Sequence, residues 1–179
     1  MADYETTVQE PSILQLQPLI DNRDPLNIYV GNPDLRPAYR HRVSFRYNQF
    51  NMATAFGFFA NISADYTTNA ITNAQSVDEF LIRTTMPVNV QNNYSIRGNF
   101  NTNYQLAKIK SRFMLGTTLA RTHSKNVLNG QEQPITNHIL SGNFRYNFRP
   151  TDNFETNLSA TVNQQLTAYA FSTTEQAFL

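Results

Sequence analysis

Three histidines, His41, His123 and His138, are the side chains best suited to ligating a metal or moving a proton near neutral pH. They stand far apart in the chain, and none has a partner at metal-ligand spacing. Ser124 follows His123 directly, but a nucleophile and its base are made by geometry and a third group, not by adjacency in sequence. The chain contains no cysteine, which removes thiolate metal sites, cysteine nucleophiles and disulfides. No P-loop and no dinucleotide-type glycine pattern is present. Asp78 and Glu79 adjoin in a long connecting stretch and read as solvated loop carboxylates before they read as cation ligands. These observations point to a chain that is not an enzyme and that carries no cofactor and no metal.

One set of charges is patterned. Arg42, Arg46, Arg97, Arg112 and Arg145 all fall on the polar phase of alternating segments. Such a set could guide an anionic substrate along a channel or pair with acidic groups of a plug. The simpler reading, which we prefer, is a solvated wall. Lysine plus arginine number 14 against 13 aspartates and glutamates, a net charge of +1. That balance gives no electrostatic reason to expect a nucleic-acid partner.

The elements that hold these residues are strands. No long stretch carries apolar residues at helical spacing, whereas alternation with period two recurs throughout. Residues 94–106 show it most clearly. Tyr94, Ile96, Gly98, Phe100, Thr102, Tyr104 and Leu106 fall on one side, and Ser95, Arg97, Asn99, Asn101, Asn103 and Gln105 on the other. The same division is read over 41–48, 54–66, 109–122, 140–148 and 154–166. Ala55, Phe59 and Met114 interrupt the polar side. With a partial strand at Tyr4–Val8, about seven strands are expected.

Connections are expected to alternate in length: short near 49–52, 107–108 and 149–153, long over 9–38, 67–90 and 123–137. The last contains Asn129-Gly130, a strong turn signal. Short turns at one end and long loops at the other is the arrangement of transmembrane barrels. The aromatic residues agree. Tyr47, Phe56, Tyr104, Phe113, Phe148 and Phe154 lie on the apolar side close to short turns. Tyr66 and Tyr94 lie about ten residues further along their strands, near the 9–11 residues a tilted strand needs to cross a bilayer. Rings at both levels suit the two lipid–water interfaces. The chain contains no apolar run long enough for a transmembrane helix and opens without an apolar leader.

Residues 9–48 carry a further pattern. Gln9-Glu10-Pro11-Ser12-Ile13 leads through Leu16-Gln17-Pro18 and Asp24-Pro25-Leu26 to Gly31-Asn32-Pro33-Asp34-Leu35-Arg36-Pro37. The last segment, with Gly31, Asn32, Pro33, Leu35 and Pro37 at its fixed positions, resembles the loop-to-strand segment in the C-terminal half of the barrel of TonB-dependent receptors, in the subfamily described as outer membrane β-barrel proteins. Ala38 stands where that family usually has glutamate. Independently of any family, Pro33 and Pro37 fix their own φ and push Asn32 and Arg36 towards extended backbone, so the segment is stiff.

The resemblance implies an importer of scarce nutrients in the bacterial outer membrane. Its barrel would have about 22 strands around a plugged lumen. Its partners would be outer-membrane lipid, a plug domain and the remaining barrel strands of the parent protein, and an energy-coupling protein. The expected fold is therefore all-β: an antiparallel up-and-down meander over residues 1–179 that forms part of a large transmembrane β-barrel. Two rivals stay open at this point, an outer-membrane structural or adhesive barrel without transport, and a soluble β-sandwich binding module.

Overall fold

The computed structural model describes residues 1–151, 153–169 and 173–178. In chain order these form β1 (Ala2–Gln9), a one-turn helix α1 (Ile13–Leu16), β2 (Ile20–Asp24), β3 (Asn27–Val30), β4 (Ala38–Asn51), β5 (Phe56–Thr68), β6 (Ala70–Val77), β7 (Arg83–Val90), β8 (Asn93–Leu106), β9 (Ser111–Leu128), β10 (Gln131–Thr151), β11 (Phe154–Tyr169) and β12 (Thr173–Phe178).

Eight of these strands build an antiparallel wall in the order β1-β4-β5-β8-β9-β10-β11-β12. The wall is a meander, with loop hairpins inserted between β1 and β4 and between β5 and β8. Its strands are long, 14 residues in β4 and 21 in β10. Among the described residues β1 and β12 each pair on one side alone, so the sheet is open. The count exceeds the seven strands read from the sequence because β12 lies beyond the last alternating segment.

The end with short connections is close to expectation. β4 passes to β5 through residues 52–55, where Ala55 takes φ 47°. β8 passes to β9 through a 3₁₀ turn at Ala107–Ile109 closed by Lys110 in the left-handed region. β10 and β11 meet across 152–153, where Asp152 lies outside the described residues.

At the other end two expectations need correction. Residues 123–137 are no long loop. β9 and β10 continue as a paired ladder to Leu128 and Gln131 and close through Asn129-Gly130, both at positive φ (49° and 76°), the geometry of a two-residue hairpin turn. The alternation fades there because this part of the hairpin stands beyond the aromatic rows, where neither face has to be apolar. Pro134, which has no N–H, is tolerated because β11 begins pairing with β10 only at Ile135.

The two remaining long connections are loops with strands of their own. β2 pairs β3 and β6 pairs β7, each antiparallel; β3 then joins β7, and β6 joins the tip of β9, in parallel. The result is a small sheet standing on the far end of the wall. Asn129 fastens it, with its N–H donating to Gln75 O at 2.8 Å and its side-chain oxygen accepting from Val77 N at 3.0 Å.

The wall encloses little core of its own. The buried apolar side chains are few: Leu35, Ala38, Ala60, Ala70 and Val90. Apart from Ala60 they gather where the loop sheet meets the wall. Large apolar residues such as Val43, Phe45, Ile96, Leu115, Leu119 and Leu158 are instead exposed.

Candidate functional site: two faces and a loop clasp

Strand register decides which side chains share a face, because directly opposed residues project to the same side. Tyr47, Ala60, Phe100, Thr117, Gly142 and Val162 follow one another across the wall. Phe45, Phe58, Ile96, Phe100, Leu115, Phe144 and Leu158 all lie on this apolar face. Arg46, Asn99, Asn101, Arg112, Asn143 and Asn157 all lie on the other. No central strand is out of phase.

The apolar face carries two rows of rings. Near the short turns Phe56, Tyr104, Phe113 and Tyr146 are register partners in succession. Phe56 and Tyr104 have ring centroids 6.4 Å apart, Phe113 and Tyr146 4.9 Å, and Tyr146 and Phe148 6.4 Å. Tyr47 touches Phe58 at 6.1 Å, and Phe154 stands exposed one residue from its turn. The other row runs His41, Tyr66, Tyr94, His123. Tyr94 stacks on His123 at 5.1 Å, Tyr4 donates to or accepts from His41 Nδ1 at 2.8 Å, and Tyr66 OH donates to Asn92 at 3.0 Å. His41 and His123 thus belong to a ring row, which the spacing of tyrosines alone does not reveal.

The rows are ten residues apart on β5, β8 and β9, from Phe56 to Tyr66, Tyr104 to Tyr94 and Phe113 to His123, whereas Tyr47 stands four residues inside the lower row. Ten residues span about 34 Å along a strand. A tilt of about 40° reduces that to a height of about 26 Å, the height of the apolar band of a membrane barrel.

The polar face is lined with amides and hydroxyls. Thr118 Oγ1 donates to Asn99 at 3.1 Å, Asn147 Nδ2 to Asn157 at 2.7 Å, and Thr167 to Asn137 at 3.2 Å. The five arginines are all on this face but do not form one row. Arg42 shares Asp65 with Arg40, a pairing that no local pattern in the sequence signals: Arg40 Nη2 lies 2.7 Å and Arg42 Nε 3.5 Å from Asp65 Oδ1. Ser95 Oγ also donates to Asp65, at 3.2 Å. At the other end Arg112 donates to Gln105 at 3.1 Å and, with Arg145 and Glu155, borders a hollow of 610 Å³. Arg46, Arg97 and Arg145 have no carboxylate partner among the described residues. Phe59 and Met114 interrupt the polar face where they line a 530 Å³ hollow together with Asn101, Asn103 and Asn143. Gly57 and Gly116 admit those amides closely, with Asn103 Oδ1 at 2.6 Å from where a Cβ would stand on Gly57.

The motif at 31–37 is the clasp between loop sheet and wall. A Cβ on Gly31 would lie 2.8 Å from the carbonyl carbon of Gln17, so no larger residue fits without moving backbone. Asn32 makes four links: its N–H donates to Gln15 O at 2.6 Å, its side-chain amide to Pro87 O at 3.0 Å, its side-chain oxygen accepts from Asp34 N at 3.0 Å, and its carbonyl accepts from Leu35 N at 3.4 Å. Leu35 is buried. Asn89 of β7 takes over the ladder between the two prolines, accepting from Arg36 N at 2.8 Å and donating to Arg36 O at 2.9 Å and Asn69 O at 2.7 Å. Asn89 is invisible as a clasp residue in sequence, since its partners are 53 and 20 positions away. Ala38, at 3% exposure, fills a site too closed for a free carboxylate. Ser12 and Gln15 cap α1 reciprocally and steady the approach to Gly31.

A profile of the outer membrane protein beta-barrel family matches residues 1–179. The chain belongs to that family. No curated protein and no solved structure matches it. Membership places this all-β chain among barrel proteins of the bacterial outer membrane and gives the two faces a setting. In such barrels the outward band is apolar, the interior polar, short turns are periplasmic and long loops extracellular. Among the described residues there is no group of three or more metal-ligating side chains. Asp78 is occupied as a turn former, accepting from Phe80 N at 2.8 Å and Ile82 N at 2.9 Å.

Proposed function

We propose that this family member is a section of the barrel wall of a TonB-dependent receptor that imports a nutrient ligand. The observation that carries the reading is the clasp. The Gly31–Pro37 segment, the one whose letters resemble that subfamily, ties the extracellular loops to the start of β4. That is a receptor's requirement, because its loops must hold a ligand in place above the lumen. The polar face supports the same reading. Arg46, Arg97 and Arg145, which have no carboxylate partner among the described residues, and the amide-lined hollow near Asn101 suit contact with a plug domain rather than with open water. The open edges of β1 and β12 are to be met by further strands of the parent barrel, since unpaired backbone in hydrocarbon costs several kcal/mol per group. The role is one of binding and passage, without enzymatic chemistry.

The test uses the full-length gene product in detergent and in planar bilayers. A plugged, coupled receptor shows no steady conductance until its plug is unfolded with urea. It also binds the purified periplasmic domain of the energy-coupling protein. A permanently open pore, or a closed barrel that does not bind the coupler, would favour a structural or adhesive outer-membrane barrel.

A further inference from the structure

Near the extracellular end the apolar face carries polar side chains, Arg121 and His138, with Gln164 one same-face step further in on β11. On β9 the succession Phe113, Leu115, Thr117, Leu119 continues in phase to Arg121, whose register partners are Ile96 on β8 and His138 on β10. Both Arg121 and His138 are exposed. They stand side by side one register step inside the Tyr94–His123 row, about 5 Å below it in height. The Arg121 guanidinium lies 6.0 Å from the Tyr94 ring centroid. Neither residue has a carboxylate partner among the described residues. On their own face Glu132 is paired with Lys125, and the register places Glu175 in their row two strands beyond His138. Below the pair a groove of 660 Å³ runs towards mid-membrane between Ile96, Phe100, Leu119 and Leu140, with the Phe100 ring lying over Gly98.

A cation facing lipid is costly unless the surroundings bring it an anion. This height is the edge of the hydrocarbon, from which a long basic side chain reaches up to the lipid headgroups. A guanidinium binds phosphate in bidentate fashion, and an imidazole donates an N–H to it in either protonation state. The apolar groove beneath has the form and chemistry to take a chain. We propose that Arg121 and His138 head a docking site for one phosphate-bearing lipid of the outer leaflet. Its phosphate is held between the two side chains, and one acyl chain lies in the groove between Leu119 and Leu140. The proposal rests on the lipid-facing assignment of the apolar face and is independent of import.

The experiment is native mass spectrometry of the detergent-solubilised protein titrated with phosphatidic acid or phosphatidylcholine. R121Q, H138Q and K108Q are compared, the last removing a positive charge at the short-turn end. Wild type is expected to retain phosphatidic acid in preference to phosphatidylcholine. R121Q should weaken that retention about fivefold, the effect of one basic residue at an anionic lipid surface. H138Q should weaken it too, and K108Q should not. Inorganic phosphate at millimolar concentration should not displace the lipid. Equal retention of the two lipids, equal loss in K108Q, or displacement by inorganic phosphate would overturn the proposal. If R121Q does not fold, H138Q with the same controls decides. A protein that retains neither lipid would instead contradict the lipid-facing assignment itself.

Discussion

Gly31 and Asn89 show how single residues hold the extracellular loops to the wall. Adding one methyl at Gly31 forces the Gln17 backbone away, a steric conflict of the kind that costs about 1–3 kcal/mol. G31A is therefore expected to lower the urea midpoint in micelles and to expose the loop sheet to proteolysis first. In the same loops Asp21 is held at a pKa of about 2, chiefly by the hydrogen bond from the Arg23 side chain. A depressed carboxylate contributes its ion pair fully above the ordinary value of 3.8 and loses it as pH falls through about 2. A carboxyl-detected NMR titration should find that midpoint, and R23Q should return it towards 3.8. Of these roles sequence showed the stiffness of the Gly31–Pro37 segment and nothing of Asn89, whose partners become neighbours only once β7 returns beside the clasp.

Within the strands, period two prevails wherever the two faces meet different solvents, broken by Phe59 and Met114 on the polar face and by Arg121 and His138 on the apolar one, and there the sequence is legible. The division in residues 94–106 and 140–148 is reproduced by the register position by position. It ceased to be legible in residues 123–137, where the β9–β10 hairpin rises past the rings and its two faces meet the same surroundings. The loop strands β2, β3, β6 and β7 were also missed, since they are short and two of their pairings are parallel and non-local. Asn129-Gly130 signals a turn in the sequence, but nothing local to it signals that a continuous ladder ends there. Gly130 sits at φ 76°, where a β-branched residue is strained by about 1–2 kcal/mol. G130V should therefore reduce stability by that order and loosen the Asn129 links to β6. Amide exchange at Val77, whose N–H Asn129 accepts, would report it.

For the whole wall, the governing fact is that its large apolar side chains are exposed on one side and its amides and charges gather on the other. In water such a face far exceeds the few hundred Å² of apolar patch that monomers tolerate, so the chain should require detergent and sediment as aggregate without it. Depth on the apolar face should also govern tolerance. F100R, midway between the ring rows, is expected to cost about 2–4 kcal/mol in a bilayer, and N101R on the adjacent polar position far less. A cooperative, soluble monomer in the absence of detergent would restore the β-sandwich reading.

The most direct measurement is a nitroxide scan of residues 94–106 in reconstituted bilayers, comparing collision with oxygen, which concentrates in lipid, and with a water-soluble nickel chelate. Oxygen maxima are expected at Ile96, Gly98, Phe100 and Thr102, nickel maxima at Arg97, Asn99 and Asn101, and convergence of the two profiles beyond Tyr94 and Tyr104. Profiles without period two, or with the phases exchanged, would contradict the assignment of the apolar face to lipid.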